Sequence, residues 1–263
     1  MTSPNVGSFC IMARSYVLCE SQLAVVGWKE TELAMKARGE GSVAGKNLLT
    51  KHNAARVVAS TFGVLAGLGG IWHGIGEVMQ GNVAPKGIVI ESWTQGPIAT
   101  NMGGEPGMTI IPNLLITGIL NIIVSLAVIV WAVAFVQRRK GGVVLVFLSI
   151  AMLLVGGGFG PPLIGILAGV AGAGINAPLT WWRSHLPANL RRFLAGLWPW
   201  VFGICALSGV LLVVGSLILV YSFGVNNPDF FVMNFFFTVL ALVLTILMGI
   251  AYDIENSERG VAA

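Results

Sequence analysis

The feature that most constrains this chain is a stretch of 42 residues, 141–182, without a single Asp, Glu, Lys or Arg. As one helix it would be about 63 Å long at about 1.5 Å per residue, roughly twice the ~30 Å hydrocarbon thickness of a bilayer. Residues that interrupt helices cluster at its middle: Gly156, Gly157, Gly158, Gly160, Pro161 and Pro162. We therefore expect two short helices, about 143–158 and 161–176, that turn at this break.

The composition identifies the solvent. Charged residues make up 10% of the 263 residues and hydrophobic residues 56%, whereas a soluble domain has about 25% charged residues. A water-soluble enzyme, a disordered regulator and a coiled coil are thereby excluded. The net charge of +4 does not indicate a nucleic-acid partner, because the basic residues lie between apolar segments, where they direct membrane insertion.

Apolar segments of about 20 residues predict further membrane-spanning helices. The predicted fold is an all-α polytopic membrane bundle of about six helices, at 54–76, 112–136, 143–158, 161–176, 198–223 and 230–252. The short third and fourth helices form either a full hairpin or a re-entrant pair. Four polar segments remain, namely an N-terminal region (1–53), an outer loop (77–111), a cytoplasmic loop (177–197) and a tail (253–263).

The position of the basic residues predicts the orientation. With both termini in the cytoplasm, 14 of the 15 Lys and Arg residues lie inside and Lys86 alone lies outside, as the positive-inside rule requires. The chain has no Asn-x-Ser/Thr glycosylation site, which favours a prokaryotic plasma membrane. The N-terminal region 1–53 is expected to be cytoplasmic and partly disordered, with Met35 as a candidate alternative start.

The best candidate site is the segment that ends the first predicted span. His73 and Glu77 are four residues apart, so a helix presents both on one face. They either share a proton or bind a cation, or they reach into the headgroup layer and only end the helix. Glu91 and Glu105 in the outer loop are further candidate ligands. With so few ligands nearby, a zinc site of the usual kind is not expected.

Two glycine patterns predict structural roles. Small residues at four-residue spacing allow helices to approach closely, and the first span carries Gly63, Gly67, Gly70 and Gly74. The break at 156–162 either exposes backbone groups that bind an ion or substrate or forms a simple outer turn. In the outer loop, the β-branched segment 88–93 and segment 108–111 predict a short hairpin that is either a structural lid or a binding lid.

Two functions remain open from the sequence. The first is a small transport or channel-type protein for an ion or small solute, although the spans lack the mid-depth charges typical of proton pumps and voltage sensors. The second is a non-catalytic scaffold, assembly factor or subunit of a membrane complex. No catalytic motif of an intramembrane enzyme occurs, and no cofactor is expected. The expected partners are the lipid bilayer and either a second copy of the chain or another membrane protein.

Overall fold

The computed structural model describes residues 53–262, which are mostly helical. The predicted N-terminal region, with Met35, lies outside the described residues except for Asn53. The elements in chain order are α1 (Asn53–Gln80), β1 (Val89–Glu91), α2 (Gly96–Met102), β2 (Pro106–Met108), α3 (Leu114–Val130), α4 (Gly141–Leu154), α5 (Gly160–Ala173), α6 (Thr180–His185), α7 (Ala188–Val210), α8 (Ser216–Phe223) and α9 (Pro228–Ala262). A π-helical turn, Trp131–Phe135, extends α3, and a second, Leu211–Gly215, joins α7 to α8.

Four helices of the described part are long and apolar enough to cross a bilayer. They are Ala54–Gln80, Leu114–Phe135, Ala188–Phe223 and Pro228–Arg259. To this extent the predicted helical membrane protein is confirmed. Two shorter apolar helices, Gly141–Leu154 and Gly160–Asn176, occupy the uncharged stretch.

The uncharged stretch divides close to where the glycine and proline cluster predicts. Gly156 and Gly158 have φ angles of +95° and +73°, a left-handed conformation that glycine adopts at little cost and that ends α4. Pro161 lies in the first turn of α5, where its missing N–H costs no helical hydrogen bond. Since α4 has 14 residues, it is about 21 Å long.

Helix α1 is the central element, since it packs against α3, α5, α7 and α9. The four glycines that the sequence singled out lie where α3 comes closest: Gly63, Gly67, Gly70 and Gly74. A Cβ on Gly67 would lie 2.8 Å from the Ser125 carbonyl oxygen, and one on Gly74 would lie 2.9 Å from that of Gly118. Larger side chains here would separate the two helices.

The outer loop forms the predicted short hairpin. β1 and β2 pair antiparallel, with Ile90 opposite Gly107. The second strand is Pro106–Met108, so the expectation of a strand over 108–111 is wrong. Those residues continue to the break instead, where Met108 accepts a backbone hydrogen bond from Gly156 (2.8 Å). The hairpin is thus attached to the turn between α4 and α5, and we call this end of the bundle the hairpin end.

At the opposite end, two helices extend beyond the predicted spans. α7 begins at Ala188, within the predicted loop 177–197, and α9 continues to Ala262, through the predicted tail 253–263. Charged residues of the two helices pair with each other there. Arg191 Nε lies 3.2 Å from Glu255 Oε2, and both side chains are about nine-tenths buried. The ion pair thus connects the two helical segments that lie beyond the predicted spans.

Candidate functional site

The candidate site lies where the last turns of α1 meet the hairpin and the break. His73 and Glu77 project from one face of α1, and they are 6% and 0% exposed. The helical spacing of the pair is therefore as the sequence predicts. Both side chains are buried within the protein, whereas the alternative interpretation has them reaching into the headgroup layer.

Ser92, which directly follows β1, connects the two side chains. Its Oγ lies 2.8 Å from His73 Nδ1 and donates a hydrogen bond to Glu77 Oε1 at 3.3 Å. Gln80 Nε2 donates to the carbonyl oxygen of Ser92 at 2.9 Å, which fixes this residue against the end of α1. The three side chains form a continuous buried chain of hydrogen bonds.

The histidine tautomer follows from the protonation of Glu77. When Glu77 is a carboxylate, Ser92 donates its single hydroxyl proton to it, and Nδ1 of His73 carries a proton and donates to Ser92. The opposite ring nitrogen, Nε2, lies 3.5 Å from Oε2 of Glu105. These two atoms attract each other only if one of them carries a proton. A further proton, on either Nε2 or Oε2, is therefore needed at this contact.

Glu105 reaches His73 because of an unusual turn before β2. Gly103, Gly104 and Glu105 all have positive φ angles, of 71°, 77° and 51°. A Cβ on Gly104 would lie 2.8 Å from the carbonyl oxygen of Trp93, so glycine is required there for space as well as for conformation. The Glu105 side chain is 20% exposed, and burial raises the pKa of its carboxyl to about 7.

The break between α4 and α5 covers the same two side chains. A Cβ on Gly156 would overlap the Glu77 carboxylate, and a Cβ on Gly158 would overlap the His73 ring. Within the described part of the chain, Oε2 of Glu77 has no hydrogen-bond partner. The structure thus brings two separately predicted groups of candidates together, namely the His–Glu pair and the glycine break.

A cavity of about 270 Å³ adjoins this cluster. Its walls come from α1, α5, the π-helical turn at 211–215, the start of α9 and the segment around Met102. His73 and Glu105 lie at one side of it, and the other walls are almost entirely apolar. Above the cluster, Trp93 stacks on Trp72 with ring centroids 4.7 Å apart, which anchors the hairpin to α1.

The structure does not bring Glu91 into the cluster. In β1 the side chains alternate, so Ile90 is buried while Glu91 is exposed. By the same alternation Ser92 faces inward with Ile90, and this was the signal by which the sequence could have indicated Ser92. Among residues 53–262, no group of three or more His, Cys, Asp or Glu side chains could hold a metal ion.

Comparison with known proteins gives no relative. No protein-family model, no curated protein and no solved structure matches this chain.

Proposed function

We propose that the chain is a small transport-type protein of the plasma membrane that moves an ion or a small solute through the site at His73 and Glu77. The observation that carries this proposal is the buried chain from Glu105 through His73 and Ser92 to Glu77. Ionisable groups within a membrane-spanning helix are costly to bury and commonly mark a transport path.

The surroundings of this series of hydrogen-bonded side chains support the same function. Transporters use broken helices to form binding sites. In this break the N–H groups of Gly156, Gly157 and Gly158 are already bonded to backbone carbonyl groups, so the break supports the site by its position. Here the break at Gly156–Gly158 covers His73 and Glu77, and the hairpin closes the site from the other side. If a buried polar site is to be reached alternately from the two sides of the membrane, a part of the protein must cover it, and the hairpin lies in that position.

The proposed topology has both termini in the cytoplasm and an even number of passages between the basic segments 138–140 and 183–192. The length of α4, about 21 Å, is less than the ~30 Å of hydrocarbon. This difference favours a re-entrant pair, whereas the hydrogen bond from Gly156 to Met108 of the outer loop favours a full hairpin. Four full spans and one re-entrant pair keep the same orientation as six spans.

Cysteine labelling tests this topology. In a background with Cys10→Ala, Cys19→Ala and Cys205→Ala, single cysteines are placed by Lys86→Cys, Asn226→Cys and His185→Cys, and a fourth variant keeps the native Cys10 as its single cysteine. A membrane-impermeant maleimide should label positions 86 and 226 in intact cells, and positions 10 and 185 only after permeabilisation. Labelling of Cys10 from outside, or protection of position 226, contradicts the proposed topology.

Transport is tested with purified protein in proteoliposomes on a solid-supported membrane. Gradients of protons, sodium, potassium, amino acids and organic amines are applied in turn. At least one gradient should give a current that Glu77→Gln lowers about tenfold or more, while the exposed Glu91→Gln leaves it unchanged. If no gradient gives a current, or if Glu77→Gln equals the wild type, the transport function is wrong. Co-purification of a membrane partner in that case supports the scaffold alternative.

A further inference from the structure

The cavity beside the cluster has the properties of a ligand pocket. Its apolar walls include aromatic rings from three elements, namely Trp72 of α1, Phe159 before α5, and Phe231 and Phe235 of α9. Ligand pockets are typically apolar with a few polar groups at defined positions. This cavity is at the small end of their size range, so it fits a small ligand.

The polar side of the cavity has a definite charge character. Among the described residues that line it, the ionisable ones are His73 and Glu105, and none is Lys or Arg. Oε2 of Glu105 is buried, and apart from its 3.5 Å contact with His73 Nε2 it has no hydrogen-bond partner in the described part of the chain. A ligand with a positive charge or a strong donor would supply that partner, whereas an anion would be repelled.

We propose that this cavity binds a small lipophilic amine, with the ammonium group against the Glu105 carboxylate and the apolar part among the aromatic walls. This inference rests on the proposed transport function, since it names the class of solute that the site takes. Aromatic faces also attract cations, so the walls favour an ammonium over a neutral group of the same shape. The Glu105 carboxylate favours binding of a cation over an anion.

The surface around the cavity provides access for a lipophilic molecule. Phe159 and Val232 line the cavity and are also 44% and 52% exposed. Next to them, α9 exposes a continuous apolar face with Met233 and Phe236, as expected for a surface in contact with lipid. An amine that partitions into the bilayer can therefore reach the cavity without crossing a polar surface.

An ammonium and a proton compete for the same carboxyl. When the amine binds to protonated Glu105, the O–H bond of the carboxyl breaks and its proton leaves to solvent. The ammonium then pairs with the carboxylate and supplies the N–H donor that the contact between Glu105 and His73 requires. Burial raises the pKa of Glu105 to about 7, so both forms are present near neutral pH. The other ionisable groups around Glu105 are His73 on α1 and Glu91 on β1, with Glu77 beyond Ser92.

The inference is tested with three ligands of nearly the same shape and different charge. These are 2-phenylethylamine, 2-phenylethanol and phenylacetate, titrated by calorimetry into the full-length protein in nanodiscs, with empty nanodiscs subtracted. The amine should bind about tenfold or more tightly than the other two, because a hydrogen bond between charged groups is stronger than one between neutral groups. Glu105→Gln should abolish this preference and leave the alcohol unchanged, while Glu91→Gln should bind all three as the wild type does.

A second variant tests the location. Val213→Trp fills the cavity from the π-helical turn and should weaken all three ligands, in protein that is still monodisperse and unfolds cooperatively. Equal affinity for amine and alcohol, or an unchanged preference in Glu105→Gln, overturns the inference. If the protein binds the amine selectively but an amine gradient gives no current, the inference stands and the transport function is contradicted. If another solute gives a current and the protein does not prefer the amine, the transport function stands and the inference is overturned.

Discussion

His73 Nε2 and Glu105 Oε2 lie 3.5 Å apart, and this contact joins the buried end of α1 to the turn that begins β2. Both side chains are largely removed from solvent. Because burial raises the pKa of Glu105 to about 7, the charge of the contact changes in the neutral range. The charge at the junction between α1 and the hairpin therefore depends on pH.

The first prediction concerns stability against pH. The folded protein holds a proton on Glu105 up to about pH 7, whereas the unfolded chain loses it near the ordinary value of 4.5. The contribution of Glu105 to the free energy of unfolding is thus complete below pH 4.5 and is lost as the pH rises to about 7. This shift corresponds to about 3 kcal/mol.

The measurement is Tm in detergent between pH 4 and pH 8, by tryptophan fluorescence. Wild-type Tm should fall more steeply between pH 4.5 and pH 7 than that of Glu105→Gln. His73, Glu77 and Glu91 are present in both proteins, so their titration is subtracted in the comparison. Parallel curves for the two proteins would contradict this prediction.

The second prediction concerns the break. Gly158→Ala places a Cβ against the His73 ring at a φ of +73°, so it combines left-handed strain of about 1–2 kcal/mol with overpacking of about 1–3 kcal/mol. The matched control is Gly224→Ala, which has a φ of +63° and nothing within 4 Å of the added Cβ. Thermal unfolding should show a clearly larger loss for Gly158→Ala. Equal losses would mean that the break does not press on His73.

The candidate site was predictable only in its local part. The four-residue spacing of His73 and Glu77 fixes their shared face on a helix, and the glycine cluster indicates a chain reversal. That the two groups meet depends on how α4 and α5 pack against α1, and local spacing carries no information about this. Glu105 was a candidate because it is acidic, but its contact with His73 depends on the left-handed turn at residues 103–105.

The fold shows the same limit. Hydropathy predicts where apolar helices cross a bilayer, and it succeeded for the long helices. It cannot predict that Arg191 pairs with Glu255 of another helix, because the attraction acts between residues far apart in the sequence. Both helices extend beyond the apolar segments from which their ends were predicted, and the ion pair lies in these extensions.

The third prediction concerns that ion pair. Arg191→Met leaves the buried Glu255 without its nearest cation, and breaking a buried pair costs about 3–5 kcal/mol. Arg192 and Arg259 also lie within 3.7 Å of Glu255, so we expect the lower end of that range. The control is Arg192→Met, whose side chain is 67% exposed, with an expected cost under about 1 kcal/mol. If the two variants lose similar amounts of Tm, the buried pair of Arg191 and Glu255 does not contribute more to stability than the exposed Arg192.

The last prediction concerns the start of α1. Asp253 of α9 accepts hydrogen bonds from the backbone N–H groups of Ala54 (2.9 Å) and Ala55 (3.1 Å). It therefore acts as a helix cap supplied by another helix, and it compensates two of the donors that an N-terminus leaves free. Asp253→Ala should lower the free energy of unfolding by about 0.5–2 kcal/mol.

Two further variants separate the hydrogen bonds of this cap from its charge. Asp253→Asn keeps one acceptor oxygen and should lose less stability than Asp253→Ala. Asp229→Ala removes an exposed acidic residue from the first turn of α9 and should cost less than about 1 kcal/mol. Denaturant unfolding monitored by tryptophan fluorescence gives all three values. If Asp253→Ala costs no more than Asp229→Ala, the contact does not hold the end of α9 to the start of α1.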